Sequence, residues 1–236
     1  MENYIIRNAQ PADFKKLALI EKRIWGKAGT AIFGKKYFNA WFKTHPQGFL
    51  VAEKDNNIKG YVYFQLIDFD LANPNLVSFD HDTDFGFTKK THNSMGSSLY
   101  VVSICSESPG AGKNLMDELY GFMIKYGKKY AVGMVRMPGL KKYIESTRIN
   151  NSFSGLIQNQ EEIVLWYAIR SVEKVGGRLS KALSLKTNSL LPSPVIPDPV
   201  LTGFYKNNKV CLYGIFRNYM HDPESLGYAA LTIIKI

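Results

Sequence analysis

The sequence has 236 residues, of which 45% are apolar, so it can bury a sizeable core in one domain or at most two small ones. A formal net charge of +10 favours anionic partners, and an aromatic share of 13% argues against a globally disordered chain. No apolar run approaches the ~20 residues that a membrane span needs. The N-terminus lacks the features of a signal peptide, so we expect a cytoplasmic protein.

The first half of the chain predicts a strand, two helices and a hairpin. Apolar residues recur at helical spacing at Phe14, Leu17, Ile20 and Ile24, which indicates an amphipathic helix. The predicted elements are a strand at 4–7, helices at 12–25 and 35–43, and paired strands at 49–53 and 58–65. Residues 68–97 are rich in Asp and show little periodicity, so they predict a long loop or a ragged strand extension.

The second half predicts a central strand–helix–strand unit and a late strand pair. The predicted elements are strands at 99–105, 131–137, 209–216 and 228–236, a helix that runs to Gly127, and a short helix at 140–145. Residues 146–197 are irregular, with a helix at 161–185 that bends at Gly176-Gly177 and an extended, proline-rich piece at 191–197. This order predicts an α+β fold with a mixed sheet and helices on both faces.

The junction between the 99–105 strand and the following helix has the character of an anion site. The first backbone N–H groups of a helix have no internal acceptor, and the helix dipole adds positive charge there. Gly110 and Gly112 remove side chains from the turn, so a phosphate could approach the backbone closely. Lys113 adds a full positive charge at the same point.

Two better-known phosphate motifs are excluded. A P-loop needs a glycine at position 107 and a serine or threonine at position 114, where this chain has Glu107 and Asn114. A dinucleotide fingerprint needs a third glycine where this chain has Leu115.

The segment instead resembles the cofactor motif of the GNAT superfamily of acyl-CoA N-acyltransferases. That motif is a strand followed by Arg or Gln, two residues, Gly, one residue, Gly or Ala, and a helix. Residues 107–112, Glu-Ser-Pro-Gly-Ala-Gly, fit it except at the first position, where Glu107 departs from the family.

The resemblance extends over residues 1–145 and 198–236. Residues 198–205 resemble the family's helix that ends in Phe-Tyr, although the Gly-Phe pair usual after it is replaced by Asn208-Lys209. Residues 219–231 resemble the closing strands of a subgroup found next to carbon-nitrogen hydrolases. The resemblance implies a single GNAT domain over residues 1–236, a mostly antiparallel sheet that splays after its fourth strand, and a helix-containing insertion at about 146–197.

The resemblance also implies an activity, the transfer of an acetyl group from acetyl-CoA to a small-molecule or protein amine, with no metal. Backbone groups of Val102 and Ile104 would pair with the pantetheine arm, and a strand N–H near Ile104 would stabilise the oxyanion. Tyr205 would protonate the leaving thiolate. The loop residues that would hold the pyrophosphate are Pro109, Gly110, Ala111, Gly112 and Lys113.

Simpler roles remain open for several of these residues. Tyr205 could be an ordinary core aromatic, and Glu107 could be a general base near the thioester or a solvated loop acid. The acidic run at 80–84 favours a solvated loop over a metal site, and it could attract a cationic amine. The basic amphipathic helix at 161–185 favours packing on its own domain over contact with a membrane or a partner.

Two rival functions and the oligomeric state also remain open. The first rival is a degenerate GNAT protein that binds CoA without turnover. The second is a basic nucleic-acid-binding module, although Lys and Arg are scattered and no recognised nucleic-acid motif is present. A homodimer is compatible with the sequence, which names neither the acceptor nor the role of the insertion.

Overall fold

The computed structural model describes residues 3–26, 32–149, 160–184, 196–207 and 209–236. These residues divide into two compact units, Met1–Val132 with Ile236, and Gly133–Lys235. The single-domain organisation and the insertion at 146–197 stay predictions.

The first unit contains an antiparallel sheet covered by helices. Its strands are β1 (Ile5–Asn8), β2 (Phe49–Lys54), β3 (Asn57–Ile67) and β4 (Ser98–Ser106), and its helices are α1 (Phe14–Trp25), α2 (Lys35–Thr44), α3 (Phe79–Thr83) and α4 (Pro109–Lys125). The strand order is β1-β2-β3-β4, and each neighbouring pair is antiparallel. The predicted hairpin is confirmed as β2 and β3.

Alternation along β3 decides which helix covers which face of this sheet. Successive side chains of a strand point to opposite faces. Tyr63 stacks on Trp41 of α2, with ring centroids 4.5 Å apart, whereas the next residue, Phe64, meets Phe122 of α4 at 4.9 Å. Tyr63 therefore belongs to the core between the sheet and α2, and Phe64 belongs to the core between the sheet and α4.

The predicted loop at 68–97 contains one short helix. Ser78 caps α3, and its hydroxyl accepts a hydrogen bond from the amide of His81. A hydrogen bond from the Trp41 indole to the carbonyl of Gly86 holds this segment against α2. A five-residue helix is too short to show periodicity, which is why the sequence predicted a loop.

The second unit contains the rest of the strands. They are β5 (Tyr130–Arg136), which begins in the first unit, β6 (Arg178–Leu179), β7 (Val210–Phe216) and β8 (Ala229–Lys235), and the helices are α5 (Leu140–Ile149), α6 (Gln160–Glu173), α7 (Lys181–Ser184) and α8 (Pro199–Tyr205). The order is β5-β8-β7-β6; β7 and β8 are antiparallel, and β6 and β7 are parallel. The predicted mixed α+β class is confirmed, and the splay after the fourth strand stays a prediction.

The prediction of one helix over 161–185 is wrong. α6 ends at Glu173, and the chain then turns through Gly176, whose φ is +68°. A left-handed glycine ends a helix because it carries no Cβ to clash with the backbone. Part of the extended piece predicted at 191–197 lies outside the described residues.

Candidate functional site

The turn from β4 into α4 is fixed by side chains of the first unit. Ser108 is the N-cap of α4, and its hydroxyl lies 3.3 Å from the amide of Ala111. The hydroxyl of Tyr4 lies 2.8 Å from the same Ser108 oxygen and holds the cap in place. Pro109 at the first helical position has no N–H and a fixed φ suited to a helix start. The predicted strand–turn–helix is therefore confirmed.

The backbone donors of this turn are fewer than the sequence suggested. Pro109 has no amide hydrogen, and the amide of Gly112 already donates to the Ser108 carbonyl at 3.2 Å. The amide of Gly110 belongs to the first turn of α4, where no intrahelical acceptor exists. The Ala111 amide makes only the long bond to Ser108. An anion would therefore bind at Gly110 and Ala111.

Gly112 has a structural reason to be glycine. A Cβ at this position would lie 2.9 Å from the hydroxyl of Ser106, at the end of β4. The close approach of helix and strand thus favours a glycine here, since a Cβ would fit only after the Ser106 side chain rotated away.

β4 carries a bulge at Val102, one of the two residues that the resemblance assigns to the pantetheine arm. Tyr63 pairs with Ser103 and Phe64 pairs with Val101, so Val102 is an extra residue that faces no residue of β3. Bulges bend a strand and free backbone groups, and they are enriched beside active sites. Ile104 keeps its regular pairing with Val62.

The two charged residues of the predicted site both have partners. Glu107 forms an ion pair with Arg23 of α1. Lys113 pairs with Asp117 at 2.7 Å, one turn further along α4, and its side chain is largely exposed. The negative charge of Glu107 is therefore neutralised by Arg23. An anion that binds at the turn would share the Lys113 ammonium with Asp117.

Glu21 is a buried acid that the sequence analysis did not select. It lies on α1 with only 1% of its surface exposed, beside Tyr61 of β3 and Cys105 of β4. Burial raises the pKa of Glu21 to about 7, although the Tyr61 hydroxyl, the Cys105 thiol and the Phe33 amide oppose the shift. Its position was visible in the sequence, because residue 21 continues the apolar stripe of Leu17 and Ile24.

Tyr205, the predicted acid, is the last residue of α8 in the second unit. Its side chain is 1% exposed, and its hydroxyl has no hydrogen-bond partner among the described residues. Burial raises the pKa of Tyr205 well above its ordinary value, so the hydroxyl keeps its proton at neutral pH. An unsatisfied buried hydroxyl costs about 1–3 kcal/mol.

Within the described ranges, no group of three or more His, Cys, Asp or Glu side chains could hold a metal ion. His81 and Asp82 of the acidic run pair with each other instead, at 2.8 Å. None of the described helices is both long enough and apolar enough to cross a membrane.

Comparisons with known proteins agree on the fold. No protein-family model and no curated protein matches the sequence. Among solved structures, the GphF GNAT-like decarboxylase in complex with isobutyryl-CoA is 19% identical, with a TM-score of 0.63, and the match covers 98% of each chain. The loading GNATL domain of CurA from Lyngbya majuscula is 15% identical, with a TM-score of 0.60, over 99% of this chain and 98% of that one. The resemblance to the subgroup beside carbon-nitrogen hydrolases stays a prediction. We conclude that this chain has the GNAT fold.

Proposed function

We propose that the protein is an acyltransferase that moves an acetyl group from acetyl-CoA to an amine. The observation that carries the proposal is the β4–α4 junction, in which a bulge at Val102 is followed within eight residues by the open first turn of α4 at Gly110. A bulged strand offers backbone groups to an acyl-pantetheine chain, and a helix N-terminus binds phosphate. The GNAT fold is consistent with this assignment.

Each part of acetyl-CoA has proposed partners in this chain. The pyrophosphate would bind to the amides of Gly110 and Ala111, with Gly112, Lys113 and the turn-forming Pro109 shaping the site. The pantetheine arm would pair with the backbone of Val102 and Ile104. The Arg23–Glu107 pair keeps an uncompensated carboxylate away from the phosphates. We therefore assign Glu107 to the electrostatics of the turn in preference to the predicted general base.

The proposed reaction is the attack of a neutral amine on the thioester carbonyl. A strand N–H near Ile104 would stabilise the oxyanion, and such a donor contributes about 3 kcal/mol in other enzymes. The C–S bond then breaks, and Tyr205 would protonate the thiolate of CoA. The raised pKa of Tyr205 suits an acid and excludes a role as a base at neutral pH.

Release of the CoA thiol in the presence of an amine panel tests the activity. We expect thiol release together with an acceptor mass increase of one acetyl group. Tyr205→Phe should lower kcat by about 100-fold, the lower range for general acid catalysis. Tyr126→Phe, at the half-exposed tyrosine that follows α4, is the control and should not change kcat. Binding of acetyl-CoA without thiol release from any acceptor would instead favour the degenerate, CoA-binding alternative.

A second candidate function is decarboxylation of a carboxylated acyl-CoA. The observation that favours it is the GNAT-like decarboxylase that aligns over 98% of this chain with a TM-score of 0.63. In this reaction the bond to the carboxylate breaks, CO₂ leaves, and the thioester holds the electron pair until the carbon is protonated. Conversion of malonyl-CoA to acetyl-CoA and CO₂ without an amine, followed by mass spectrometry, separates this reaction from acyl transfer.

A further inference from the structure

Glu21 is placed unusually for a charged side chain. One of its oxygens, Oε2, is fully buried and has no hydrogen-bond partner among the described residues, and Oε1 receives a long, 3.4 Å bond from the Phe33 amide. No ion pair of Glu21 occurs in the part of the chain that the structure describes. A buried acid without a counter-charge is costly, and such groups concentrate at functional sites.

The hydroxyls of Tyr61 and Ser103 lie in a row between the Glu21 carboxyl and the half-buried side of β4. The hydroxyl of Tyr61 lies near the Glu21 carboxyl and favours its ionised form. The same hydroxyl is hydrogen-bonded to Ser103 Oγ at 3.0 Å, and either atom can donate. Tyr61 is completely buried, whereas Ser103 is only half-buried. Ser103 is therefore the outer end of the row and Glu21 the inner end.

Ser103 also lies next to the proposed reaction centre. It directly follows the bulged residue Val102 and precedes Ile104, whose backbone groups are assigned to the acyl-pantetheine chain. An acceptor amine that attacks a thioester at this strand would approach the exposed end of the hydroxyl row, and Ser103 is its first polar side chain.

The groups that face Glu21 come from two strands and from the segment before α2. They are Tyr61 of β3, Cys105 of β4 and the amide of Phe33 before α2. Cys105 remains a thiol, because burial and the neighbouring Glu21 raise its pKa. Arg23 and Glu107 neutralise each other at the end of β4. The acid is thus poised to exchange a proton near neutral pH, and none of these neighbours is a cation that would fix it as a carboxylate.

We propose that Ser103, Tyr61 and Glu21 form a proton relay that takes up the proton released by the acceptor amine. The inference rests on the proposed acyltransferase function. In the starting state Ser103 donates to the Tyr61 hydroxyl, which turns its own hydrogen toward the neighbouring Glu21 carboxyl. As the amine bonds to the thioester carbon, its proton passes to Ser103 Oγ, the Ser103 proton passes to Tyr61, and the Tyr61 proton passes to Glu21. Charge is conserved, since a cationic nitrogen becomes neutral and a carboxylate becomes a carboxylic acid.

The relay gives the buried acid a role that packing does not explain. The proton transfer reverses the donor and acceptor roles of the two hydroxyls. Glu21 then returns its proton to solvent through the same two hydroxyls, which restores the starting state for the next turnover. Glu21 and Tyr61 act through Ser103. Tyr61 passes the proton on and Glu21 receives it, and neither residue contacts the acceptor amine.

The test is the pH dependence of acetyl transfer in the whole protein, measured as kcat/KM for an accepted amine. The wild type should show an inflection near pH 7 that Glu21→Gln removes. Glu21→Gln, Tyr61→Phe and Ser103→Ala should each lower kcat by about 100-fold, with the Kd for acetyl-CoA unchanged. Glu118→Gln, at an exposed acid of α4, is the matched control and should keep both the rate and the profile.

Each outcome decides a different claim. A wild type that binds acetyl-CoA but transfers to no amine would overturn the proposed function and the relay together. An active Glu21→Gln protein with the wild-type profile would overturn the relay alone. To separate a folding defect from a lost relay, thermal unfolding and acetyl-CoA calorimetry accompany every variant. A well-folded Tyr61→Phe variant that binds acetyl-CoA and keeps the wild-type rate would also overturn the relay.

Discussion

Arg23 of α1 forms an ion pair with Glu107, the residue that connects β4 to the Ser108 cap of α4. The Glu107 side chain is 24% exposed, and its partner is 58% exposed. The pair sits where the GNAT motif usually has a basic or neutral residue. The acid that departs from the family pattern is therefore compensated by a cation from another helix.

This relationship predicts the effect of Arg23→Ala on acetyl-CoA binding. Removal of the guanidinium leaves Glu107 as a free carboxylate beside the turn, and its repulsion of the pyrophosphate should weaken affinity by about fivefold at low salt. The double variant Arg23→Ala with Glu107→Gln should restore the wild-type affinity. Equal weakening in the single and double variants would show that Arg23 contacts the cofactor directly, contrary to this prediction.

Most of the candidate site could be predicted from sequence because it depends on local patterns. The apolar run of β4, the serine and proline at the start of α4 and the glycines of the turn are short-range features. The ion pair of Glu107 and the hydrogen bond from Tyr4 to Ser108 could not be predicted, since each joins residues far apart in the chain. Local patterns do not report which distant side chains meet.

One wrong prediction and one omission have identifiable physical causes. The helix predicted over 161–185 continued past Glu173 because the apolar spacing persisted, although Gly176 adopts a left-handed conformation there. Glu21 was not among the predicted site residues, because glutamate is almost never fully buried. Its place on the apolar stripe of α1 is the sequence signal that indicates burial.

Glu21 predicts an unusual dependence of stability on pH. Its pKa is about 7 in the folded protein against an ordinary value of 4.5, so between these values the native state holds more protons than the unfolded state. The Glu21 contribution to the unfolding free energy is therefore complete below pH 4.5, falls as pH rises to about 7, and amounts to about 3 kcal/mol. Urea unfolding at pH 5 and pH 8 measures it.

The Glu21→Gln variant supplies the comparison for this measurement. It cannot ionise at position 21, so its unfolding free energy should change less between pH 5 and pH 8 than that of the wild type, by about 3 kcal/mol. Identical changes in the two proteins would mean that Glu21 titrates normally in the folded state.

The buried ion pair of the second unit predicts a large loss of stability. Arg136 donates two hydrogen bonds, both of 2.9 Å, to Asp222, whose side chain is completely buried. Arg136→Met leaves the Asp222 carboxylate buried without a counter-charge. The unfolding free energy should therefore fall by about 3–5 kcal/mol. Arg217→Met, at an exposed arginine that lies 4.0 Å from Glu161, should change it by less than about 0.5 kcal/mol.

The same pair allows a second check through Asp222→Asn in the Arg136→Met background. A neutral amide at position 222 carries no charge that needs a partner. The double variant should therefore recover part of the unfolding free energy that Arg136→Met loses. A double variant less stable than Arg136→Met would indicate that Asp222 is held mainly by its hydrogen bonds from Ser225 and the Glu224 amide.

Calorimetric titration of acetyl-CoA into the wild type, Gly110→Trp and Gly121→Trp tests the β4–α4 site most directly. Both substitutions put the same bulky side chain on α4, but Gly110 lies in its first turn, whereas a Cβ at Gly121 meets nothing within 4 Å. We expect saturable binding in the wild type and Gly121→Trp, and an affinity at least about tenfold lower, or ~1.4 kcal/mol, in Gly110→Trp. Equal affinities in all three proteins would place acetyl-CoA elsewhere and contradict the proposed site.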